Sequence, residues 1–528
     1  MSASSRRSLF LVLLVLLACG SLGALLGQRL GASGDSQVRG DLQQFSTVYA
    51  LVEENYADPV DPGKAIYNGA IPGMLRVLDP HSDFFDPKAF SALTEEQHGK
   101  YYGVGMTVGP RNSHIIVIAP FVGTPAYRAG IRPGDVIVAV DGVSTDGMGV
   151  QEVSDRLRGD KGTTVHITIA RDGVDHPLEF TVVRGEIPRN SVDVKFLLRP
   201  GIGYIHVSTF NNLNTAGEVA AALQEFGELK GLVLDLRGNP GGIVNEAVGV
   251  ADQLLQKGQV VVTQRGRSSP EVVLRARHGD GGKDYPIVVL VNRGTASAAE
   301  ILAGAIQDHD RGLIAGETTF GKGLVQSVYP LSDNTGLALT TARYYTPSGR
   351  LIQRNYNGVP TYDYYLNLGD QASTANREVR LTDSGRTVYG GGGISPDVSL
   401  PQPKPDHLQQ TLLQHYAFFN FAKSYLANRH VTRSFAVDEN VLNDFRHFLQ
   451  EQKIAYSEAD LLQDLDWVKT NIKSDLFVSE FGQQVGLQVQ AENDPQIQKA
   501  ADLLPKAKEL AENARRTVAQ RQGRDDSQ

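Results

Sequence analysis

An apolar run and the turn that follows it, Ile287-Val-Val-Leu-Val291 and Asn292-Arg-Gly-Thr-Ala-Ser297-Ala-Ala-Glu300, organise this chain. Four β-branched residues and one leucine predict a short buried strand over 287–291. Arg293-Gly294 interrupts it, and the pattern from Ala296 to Gln307 predicts a helix. Ser297 is therefore expected near a helix N-terminus, where unpaired N–H groups and the helix dipole favour a developing negative charge. The serine is either a nucleophile or an ordinary N-cap, and its position alone leaves both open.

The next polar loop, Glu317-Thr-Thr-Phe-Gly-Lys322-Gly-Leu-Val-Gln326, places a lysine between two glycines. It nearly matches a phosphate-binding loop, but Gly323 stands where Ser or Thr is needed. The residues from Leu324 to Leu331 also predict a strand instead of the required helix. The other use of Lys322 is as a general base for Ser297, which requires burial or nearby positive charge to lower its pKa. No G-x-S-x-G elbow is present, so an α/β-hydrolase triad has no anchor.

A third turn, Asp235-Leu-Arg-Gly-Asn-Pro-Gly-Gly242, joins a predicted buried strand to a predicted helix. Consecutive glycines expose backbone N–H groups that could complete an oxyanion hole. An ordinary strand-to-helix turn explains the residues equally well.

Composition excludes several classes of protein. The chain has 528 residues, a net charge of −8 and no basic stripe, so we expect no nucleic-acid partner. One cysteine excludes an internal disulfide framework and a cysteine-ligated structural zinc. The twelve histidines are scattered and no His-Glu-x-x-His occurs, so we expect neither a metal site nor a cofactor.

The N-terminus predicts export. Arg6-Arg7 precede an uncharged run from Leu9 to Leu26, the arrangement of a signal anchor or a secretory signal. Leu16-Leu-Ala-Cys19 also resembles a lipobox, which would make Cys19 a lipidated residue. An uncleaved anchor, a lipoprotein signal and a cleaved signal all remain open. In each case we expect the rest of the chain on the outer face of the cytoplasmic membrane of a bacterial envelope, with that membrane as a partner.

Changes in pattern along the chain predict a multidomain α/β protein. Strands and turns dominate between Tyr101 and Arg184, and strands and helices alternate from Gly201. Helical patterns follow the Pro-rich linker at Pro401–Pro405, the last helical stretch running over Ile497–Val518. We assign the C-terminal helices to packing or self-association, and expect a homo-oligomer. The predicted segments are a signal and linker over 1–35, a helical segment over 36–98, a β-domain over 99–185, an α/β core over 186–402 and a helical region over 403–528.

The β-domain resembles the PDZ family. The resemblance is carried by Thr124-Pro-Ala-Tyr-Arg-Ala-Gly-Ile-Arg-Pro-Gly-Asp-Val-Ile137 and Val140-Asp-Gly142. PDZ domains add an extended peptide to a sheet edge and capture its C-terminal carboxylate on a loop of N–H groups. The resemblance implies that this loop is Gly103-Val104-Gly105-Met106.

The chain as a whole resembles the C-terminal processing peptidases, serine–lysine proteases with an inserted PDZ domain. The resemblance spans roughly Leu42 to Leu400, and its motifs in order include Leu78-Asp-Pro-His-Ser-Asp-Phe-Phe85, the PDZ signature, Asp235–Gly242, Thr295-Ala-Ser-Ala-Ala-Glu-Ile301, Gly321–Gln326, Thr340-Thr-Ala-Arg-Tyr-Tyr-Thr-Pro-Ser-Gly349 and Gly391-Gly-Gly-Ile-Ser-Pro-Asp397.

The resemblance implies an α/β protease core with Ser297 as nucleophile, Lys322 as general base and Gln326 as the group that orients the lysine. It places the oxyanion hole at the backbone of Ala298 and Gly241. One departure is Ala299, where the family often has a second serine. We therefore expect an exported endopeptidase that captures protein C-termini and cleaves near them. The alternative is a catalytically silent PDZ scaffold that binds C-termini, which the presence of all three side chains disfavours.

Overall fold

The computed structural model describes residues 36–111, 113–268, 270–365 and 377–525. The chain divides into two compact units, Met1–Leu78 and Asp79–Gln528. The predicted signal anchor over 1–35, with Cys19, lies outside the described residues. No helix among the residues that are described is both long enough and apolar enough to cross a membrane.

The first unit is helical where it is described, as its pattern predicted. Its helices are α1 (Ser36–Asn55), α2 (Pro62–Ala65), a π-helical turn (Ile66–Ala70) and α3 (Ile71–Arg76). Asp61 caps α2 by accepting the Lys64 N–H at 3.2 Å, and Pro62 starts the helix without a backbone donor to satisfy.

The β-domain is an antiparallel sheet in the order β3-β4-β5-β7-β8, with the short β6 on β5 and a separate β2–β9 ribbon. Two elements precede this domain in the chain, β1 (Asp83–Phe85) and α4 (Pro87–Gln97). Its own elements are β2 (Lys100–Gly103), β3 (Met106–Arg111), β4 (His114–Pro120), α5 (Pro125–Ala129), β5 (Val136–Val140), β6 (Val143–Ser144), α6 (Val150–Leu157), β7 (Thr164–Ala170), β8 (Leu178–Val183) and β9 (Gly185–Pro188). Val153 and Leu157 of α6 pack with Val104 and Met106 in its core. Strand β3 therefore lies at a sheet edge with α6 beside it, the arrangement that peptide addition requires.

The α/β core is built on a sheet in the order β10-β11-β12-β15-β16-β21, parallel from β11 onward. Its elements are β10 (Val192–Arg199), β11 (Ile202–Val207), α7 (Thr215–Phe226), β12 (Gly231–Asp235), α8 (Val244–Asp252), β15 (Ile287–Val291), α9 (Ala298–Asp308), β16 (Leu313–Gly316) and β21 (Val398–Ser399). Apolar residues of α7, α8 and α9 cover one face of the sheet. The predicted strand–helix alternation and the parallel sheet are confirmed.

A second sheet stands beside the first, in the order β1-β18-β13-β14, with β17 also paired to β18. Its remaining strands are β13 (Val260–Gly266), β14 (Val272–Arg275), β17 (Leu324–Pro330) and β18 (Gly336–Tyr345). Shorter elements follow, namely α10 (Thr361–Tyr365), β19 (Val379–Leu381) and β20 (Thr387–Tyr389). The strand predicted after Lys322 is therefore present as β17, in place of the helix that a phosphate-binding loop would open.

The C-terminal region is helical, and its residues form two groups. The helices α11 (His407–Gln414), α12 (Ala417–Leu426), α13 (Glu439–Glu451), α14 (Glu458–Gln463), α15 (Leu465–Phe481) and α16 (Gln483–Glu492) share one apolar core. The last two, α17 (Pro495–Asp502) and α18 (Leu504–Asp525), pack on the other face of the α/β sheet. The stretch predicted as helical over Ile497–Val518 is helical, but it divides at Leu503, because Pro505 cannot donate the backbone hydrogen bond that a continuous helix needs.

Candidate active site

Ser297 stands at the junction of β15 and α9. The helix begins at Ala298, two residues later than predicted, because Ser297 has a φ of 53° and a ψ of −118°. An L residue adopts this conformation only where the surroundings enforce it, at a cost on the order of 1–3 kcal/mol. The enforcing contacts are at hand: Thr295 Oγ1 donates to Leu236 O at 2.7 Å, and Ala296 N donates to Asn239 O at 2.9 Å. The serine is 7% exposed.

The glycine turn that follows β12 touches this serine. A Cβ on Gly241 would lie 2.7 Å from Ser297 Cβ and 2.8 Å from Ala298 N, so only glycine permits this approach. Ala298 N–H is the first of helix α9 and has no intrahelical acceptor. The Gly241 N–H donates to Asn239 Oδ1 at 2.8 Å. The structure thus brings the two predicted oxyanion positions together, with the Gly241 N–H bonded to Asn239, and their role stays a prediction.

Glu300 joins the serine turn to the lysine loop. Its Oε2 accepts the backbone N–H groups of Ser297 and Lys322, both at 2.8 Å. Its Oε1 accepts Thr319 Oγ1 at 2.5 Å and Gly321 N at 2.7 Å. Burial raises the pKa of this fully buried carboxyl, whereas the four hydrogen bonds oppose that rise. Since all four partners donate, the carboxylate form is the one that the site satisfies.

Glu300 was not among the predicted site residues. The signal was present in the sequence, because Ser297-Ala-Ala-Glu300 has the Ser-x-x-Glu spacing of a capping box. That motif explains the bond to Ser297 N. It says nothing of Thr319, Gly321 or Lys322, which lie on another loop.

Lys322 is half-buried on a loop held closely against its neighbours. A Cβ on Gly321 would lie 2.9 Å from Gly393 N, and one on Gly323 would lie 2.7 Å from Gln353 N. The two glycines that flank Lys322 therefore allow the loop backbone to approach its neighbours closely. Burial lowers the pKa of Lys322 below its usual value, with the charges of Glu300 and Asp79 acting in the opposite direction. A lowered pKa is what a lysine base needs.

Gln326 lies on β17 directly opposite Thr340 of β18. Its Nε2 donates to Thr340 Oγ1 at 3.2 Å, which leaves its Oε1 as the acceptor for another donor. The role predicted for Gln326, orientation of Lys322, stays a prediction.

Arg237 braces the turn that carries Gly241. Its guanidinium contacts both carboxylate oxygens of the buried Asp235, at 2.6 to 3.0 Å. It also binds Asp494 Oδ2 at 2.9 Å and Gln496 Oε1 at 2.6 Å, at the start of α17. The C-terminal helices therefore help to hold the candidate oxyanion turn.

The predicted carboxylate loop belongs to the β-domain, apart from the serine and lysine. Gly103 ends β2, Met106 begins β3, and Val104 and Gly105 connect them. Gly105 has a φ of 78°, and a Cβ there would collide with Thr124 at 2.5 Å. Gly105 O accepts the N–H of Phe121 and the hydroxyl of Thr124. The loop is thus held by its carbonyls, and its peptide-binding role stays a prediction.

Comparison with known proteins agrees with this architecture. Residues 201–363 match the model of peptidase family S41, residues 117–171 match a PDZ domain, and residues 408–462 match a model described as a probable PDZ-protease, C-terminal helical domain.

Among curated proteins, the carboxy-terminal-processing protease of Bartonella bacilliformis is 39% identical over 355 residues, covering 66% of this chain and 80% of that protein. The carboxyl-terminal-processing protease of Synechocystis is 41% identical over 313 residues, covering 58% and 72%. A solved photosystem II D1 C-terminal processing protease has 33% identity and a TM-score of 0.35, covering 68% and 86%. With four-fifths of the Bartonella protein matched, this chain belongs to the carboxy-terminal processing proteases of peptidase family S41, which are serine proteases with a PDZ domain.

Proposed function

We propose that the chain cleaves proteins near their C-termini by a serine–lysine mechanism in which Ser297 is the nucleophile and Lys322 the general base. The observation that carries this proposal is the Glu300 carboxylate, which binds the backbones of both residues through one oxygen. It supports the proposal because two residues tied to one buried atom keep a fixed spacing as the reaction proceeds.

In the proposed reaction, neutral Lys322 takes the hydroxyl proton as Ser297 Oγ attacks the carbonyl carbon of the scissile bond. The negative charge that develops on the carbonyl oxygen is received by backbone N–H groups at Ala298 and the Gly241 turn. The lysine then gives its proton to the departing amine, and the peptide bond breaks to leave an acyl-enzyme. A water molecule, losing its proton to the same lysine, hydrolyses the ester and regenerates Ser297. Gln326 orients the lysine throughout.

The PDZ domain captures the substrate's C-terminus in this proposal. An extended peptide adds to the edge of β3 beside α6, and the Gly103–Met106 loop receives its terminal carboxylate. Support comes from the position of β3 at the edge of its sheet and from the glycines that shape the loop. A substrate whose terminal carboxylate is amidated should then be cleaved more slowly than the free acid.

Export and self-association are further parts of the proposal. The N-terminal run from Leu9 to Leu26 supports an envelope protein that is held at the membrane. Lipidation at Cys19 is the alternative to an uncleaved anchor that should be tested. The exposed apolar side chains of α1, Leu42, Phe45, Val48 and Leu51, recur at three- and four-residue spacing and support pairing of copies through this helix. Fractionation of cells and sedimentation of the purified protein test the two points separately.

The dyad is tested by cleavage of an unstructured protein. We expect Ser297→Ala and Lys322→Ala to lose activity by about 10³-fold or more. Lys322→Arg should be equally inactive, because it keeps the charge but cannot become a neutral base. Ser332→Ala, a serine of the loop after β17, is the matched control and should cleave normally. Equal cleavage by all variants, or none by the wild type, would contradict the dyad and favour a silent PDZ scaffold.

The pH dependence of kcat/KM follows from the same assignment. Because only the neutral lysine is a base, the rate should rise with pH through the pKa of Lys322, which lies below its ordinary value. A rising limb at or above pH ~10.4, the usual lysine value, would contradict the proposed base.

A further inference from the structure

His206 lies near the end of β11, beside the turn that carries Gly241. Its Nδ1 lies 2.6 Å from Asp193 Oδ1 of β10, and its Nε2 lies 3.2 Å from Arg237 O in the turn. A carboxylate and a carbonyl can only accept hydrogen bonds, so both ring nitrogens have to donate. A neutral imidazole carries one N–H and could make only one of these bonds. The geometry therefore requires the imidazolium form.

The peptide group between Arg237 and Gly238 joins this histidine to the serine turn. Its carbonyl faces His206 Nε2, and its N–H, on Gly238, donates to Asn292 Oδ1 at 2.9 Å. Asn292 begins the turn that leads to Ser297. Since a peptide group is planar, a bond that fixes its carbonyl also fixes its N–H. His206 thus helps to fix the spacing of the two turns.

Val207, the next residue of β11, holds the same glycine turn. Its carbonyl accepts Asn239 Nδ2 at 2.8 Å, and Asn239 Oδ1 accepts the Gly241 N–H at 2.8 Å. Strand β11 therefore contacts the turn at two points, Arg237 and Asn239, before the chain reaches Gly241. We propose that the His206 imidazolium is a positioning residue that holds this turn against the serine turn, so that loss of its proton slows catalysis. The inference rests on the proposed serine–lysine mechanism.

The charges around His206 keep its proton in place at neutral pH. It faces Asp193 of β10, Asp235 of β12 and the Arg237 guanidinium, which is itself paired with Asp235 and with Asp494 before α17. Burial acts to lower the pKa of His206, but the bond to Asp193 and the charge of Asp235 raise it to about 9. Above that pH the remaining proton stays on Nδ1, because the carboxylate is the stronger acceptor. Nε2 then presents a lone pair to the Arg237 carbonyl, and the two acceptors repel each other.

The first test is the pH dependence of kcat/KM for cleavage of an unstructured protein. The wild-type rate should rise through the pKa of Lys322 and fall again at about pH 9, as His206 loses its proton. His206→Gln should show no such fall, because an amide can donate to Arg237 O at every pH. At pH ~8 its kcat should stay within about threefold of the wild-type value. A falling limb that persists unchanged in His206→Gln would overturn the inference.

His309 offers a matched control, because its ring has the same pair of contacts at the C-terminal end of α9. Its Nδ1 lies 2.7 Å from Asp383 Oδ2, and its Nε2 lies 2.8 Å from Val260 O. His206→Ala should lower kcat about tenfold with little change in KM, whereas His309→Ala should keep the wild-type kcat and the falling limb. Wild-type kcat in His206→Ala, or an equal loss in His309→Ala, would overturn the inference.

The second test weakens the acceptor that retains the proton. Asp193→Asn removes the negative charge beside Nδ1, so the falling limb of kcat/KM should move to lower pH by about one unit or more. A residue with only a structural role would leave that limb in place, and an unmoved limb would overturn the inference. Inactive Ser297→Ala and Lys322→Arg beside an unmoved limb in Asp193→Asn would reject this inference and keep the dyad. Active Ser297→Ala would reject the dyad itself.

Discussion

At the residue scale, Glu300 is the centre of the candidate site. It is fully buried, yet all four of its hydrogen bonds come from two separate loops, those of Ser297 and Lys322. A buried carboxylate costs several kcal/mol unless its oxygens are fully satisfied. Here the donors are mostly backbone N–H groups, so the charge and the loop geometry stabilise each other.

Glu300→Gln tests this arrangement with almost no change in volume. The glutamine amide would place a donor against two backbone donors, leaving buried groups unpaired at about 1–3 kcal/mol each. We expect kcat to fall about 10²-fold and the Tm to drop. Glu228→Gln, at an exposed site, is the control for loss of a negative charge. Normal kcat in Glu300→Gln would show that the carboxylate does not position the two loops.

At the scale of single elements, the Asp235–Gly242 turn depends on contacts from three directions. Within the turn, the Arg237 guanidinium binds the Asp235 carboxylate. From outside it, Thr295 Oγ1 donates to Leu236 O, and Asn239 Nδ2 donates to Val207 O at 2.8 Å. These bonds hold Gly241 against the Ser297 backbone. The turn is therefore fixed independently of any bound substrate.

Gly241→Ala should damage catalysis more than stability. Its φ of 93° suits glycine, and a Cβ would meet Ala296 O and Ser297 Cβ at 2.7 Å. Gly238→Ala is the matched control, because it has a φ of 71° but nothing within 4 Å of its Cβ. Gly238→Ala should lose about 1 kcal/mol of stability, Gly241→Ala should lose more because its Cβ also displaces the Ser297 backbone, and Gly241→Ala alone should lower kcat/KM by about 10²-fold. Equal kcat/KM values for the two variants would argue against an oxyanion role for this turn.

At the scale of the whole Asp79–Gln528 unit, the C-terminal helices are part of the protease. Ile497, Ala500, Leu504 and Ala507 of α17 and α18 pack on Val288 and neighbouring residues of the α/β sheet. The preceding helices hold the PDZ domain: Arg111 of β3 lies 3.8 Å from the Tyr416 ring and 4.5 Å from that of Phe419, and it donates to Asn420 at 3.0 Å. Elements of both the PDZ domain and the α/β core are thus held by the C-terminal region.

The raised pKa of Asp475, which lies on α15 near Arg111, predicts that the stability of this region depends on pH. Burial raises the pKa of Asp475 to about 6, with the charge of Arg111 opposing the rise. An acid whose pKa is raised by folding stabilises the fold when protonated. Its contribution is therefore complete below the unfolded value near 3.8 and is lost as the pH rises through about 6.

Asp475→Asn removes this dependence. At pH ~7.5 the variant should be more stable than the wild type by on the order of 2 kcal/mol, and near pH ~4 the difference should largely vanish. Thermal unfolding at the two pH values measures it, with Asp466→Asn, an exposed position on the same helix, as the control. A Tm difference that does not change with pH would contradict the assignment to Asp475.

Much of this molecule could be predicted from local patterns. The strand at Ile287–Val291 has the predicted bounds, and the strand predicted from Leu324 is present as β17. Periodicity reports which face of an element is apolar, and turn residues report where it stops. Two differences from the predicted bounds each come from a single backbone position. The strained Ser297 moves the start of α9 from Ala296 to Ala298, and Pro505 divides the last helical stretch at Leu503.

The sequence by itself determined the order of elements, the α/β class, and the family motifs that single out Ser297, Lys322 and Gln326. Only the tertiary structure decided what holds them in place: Glu300 between two loops, Thr340 bonded to Gln326 from the facing strand, and C-terminal helices packed on the sheet. The physical reason is that each contact joins residues far apart in the chain. The local sequence pattern around one residue therefore does not indicate which distant residue it will contact. Such contacts are selected by burial and hydrogen-bond satisfaction once the elements have packed.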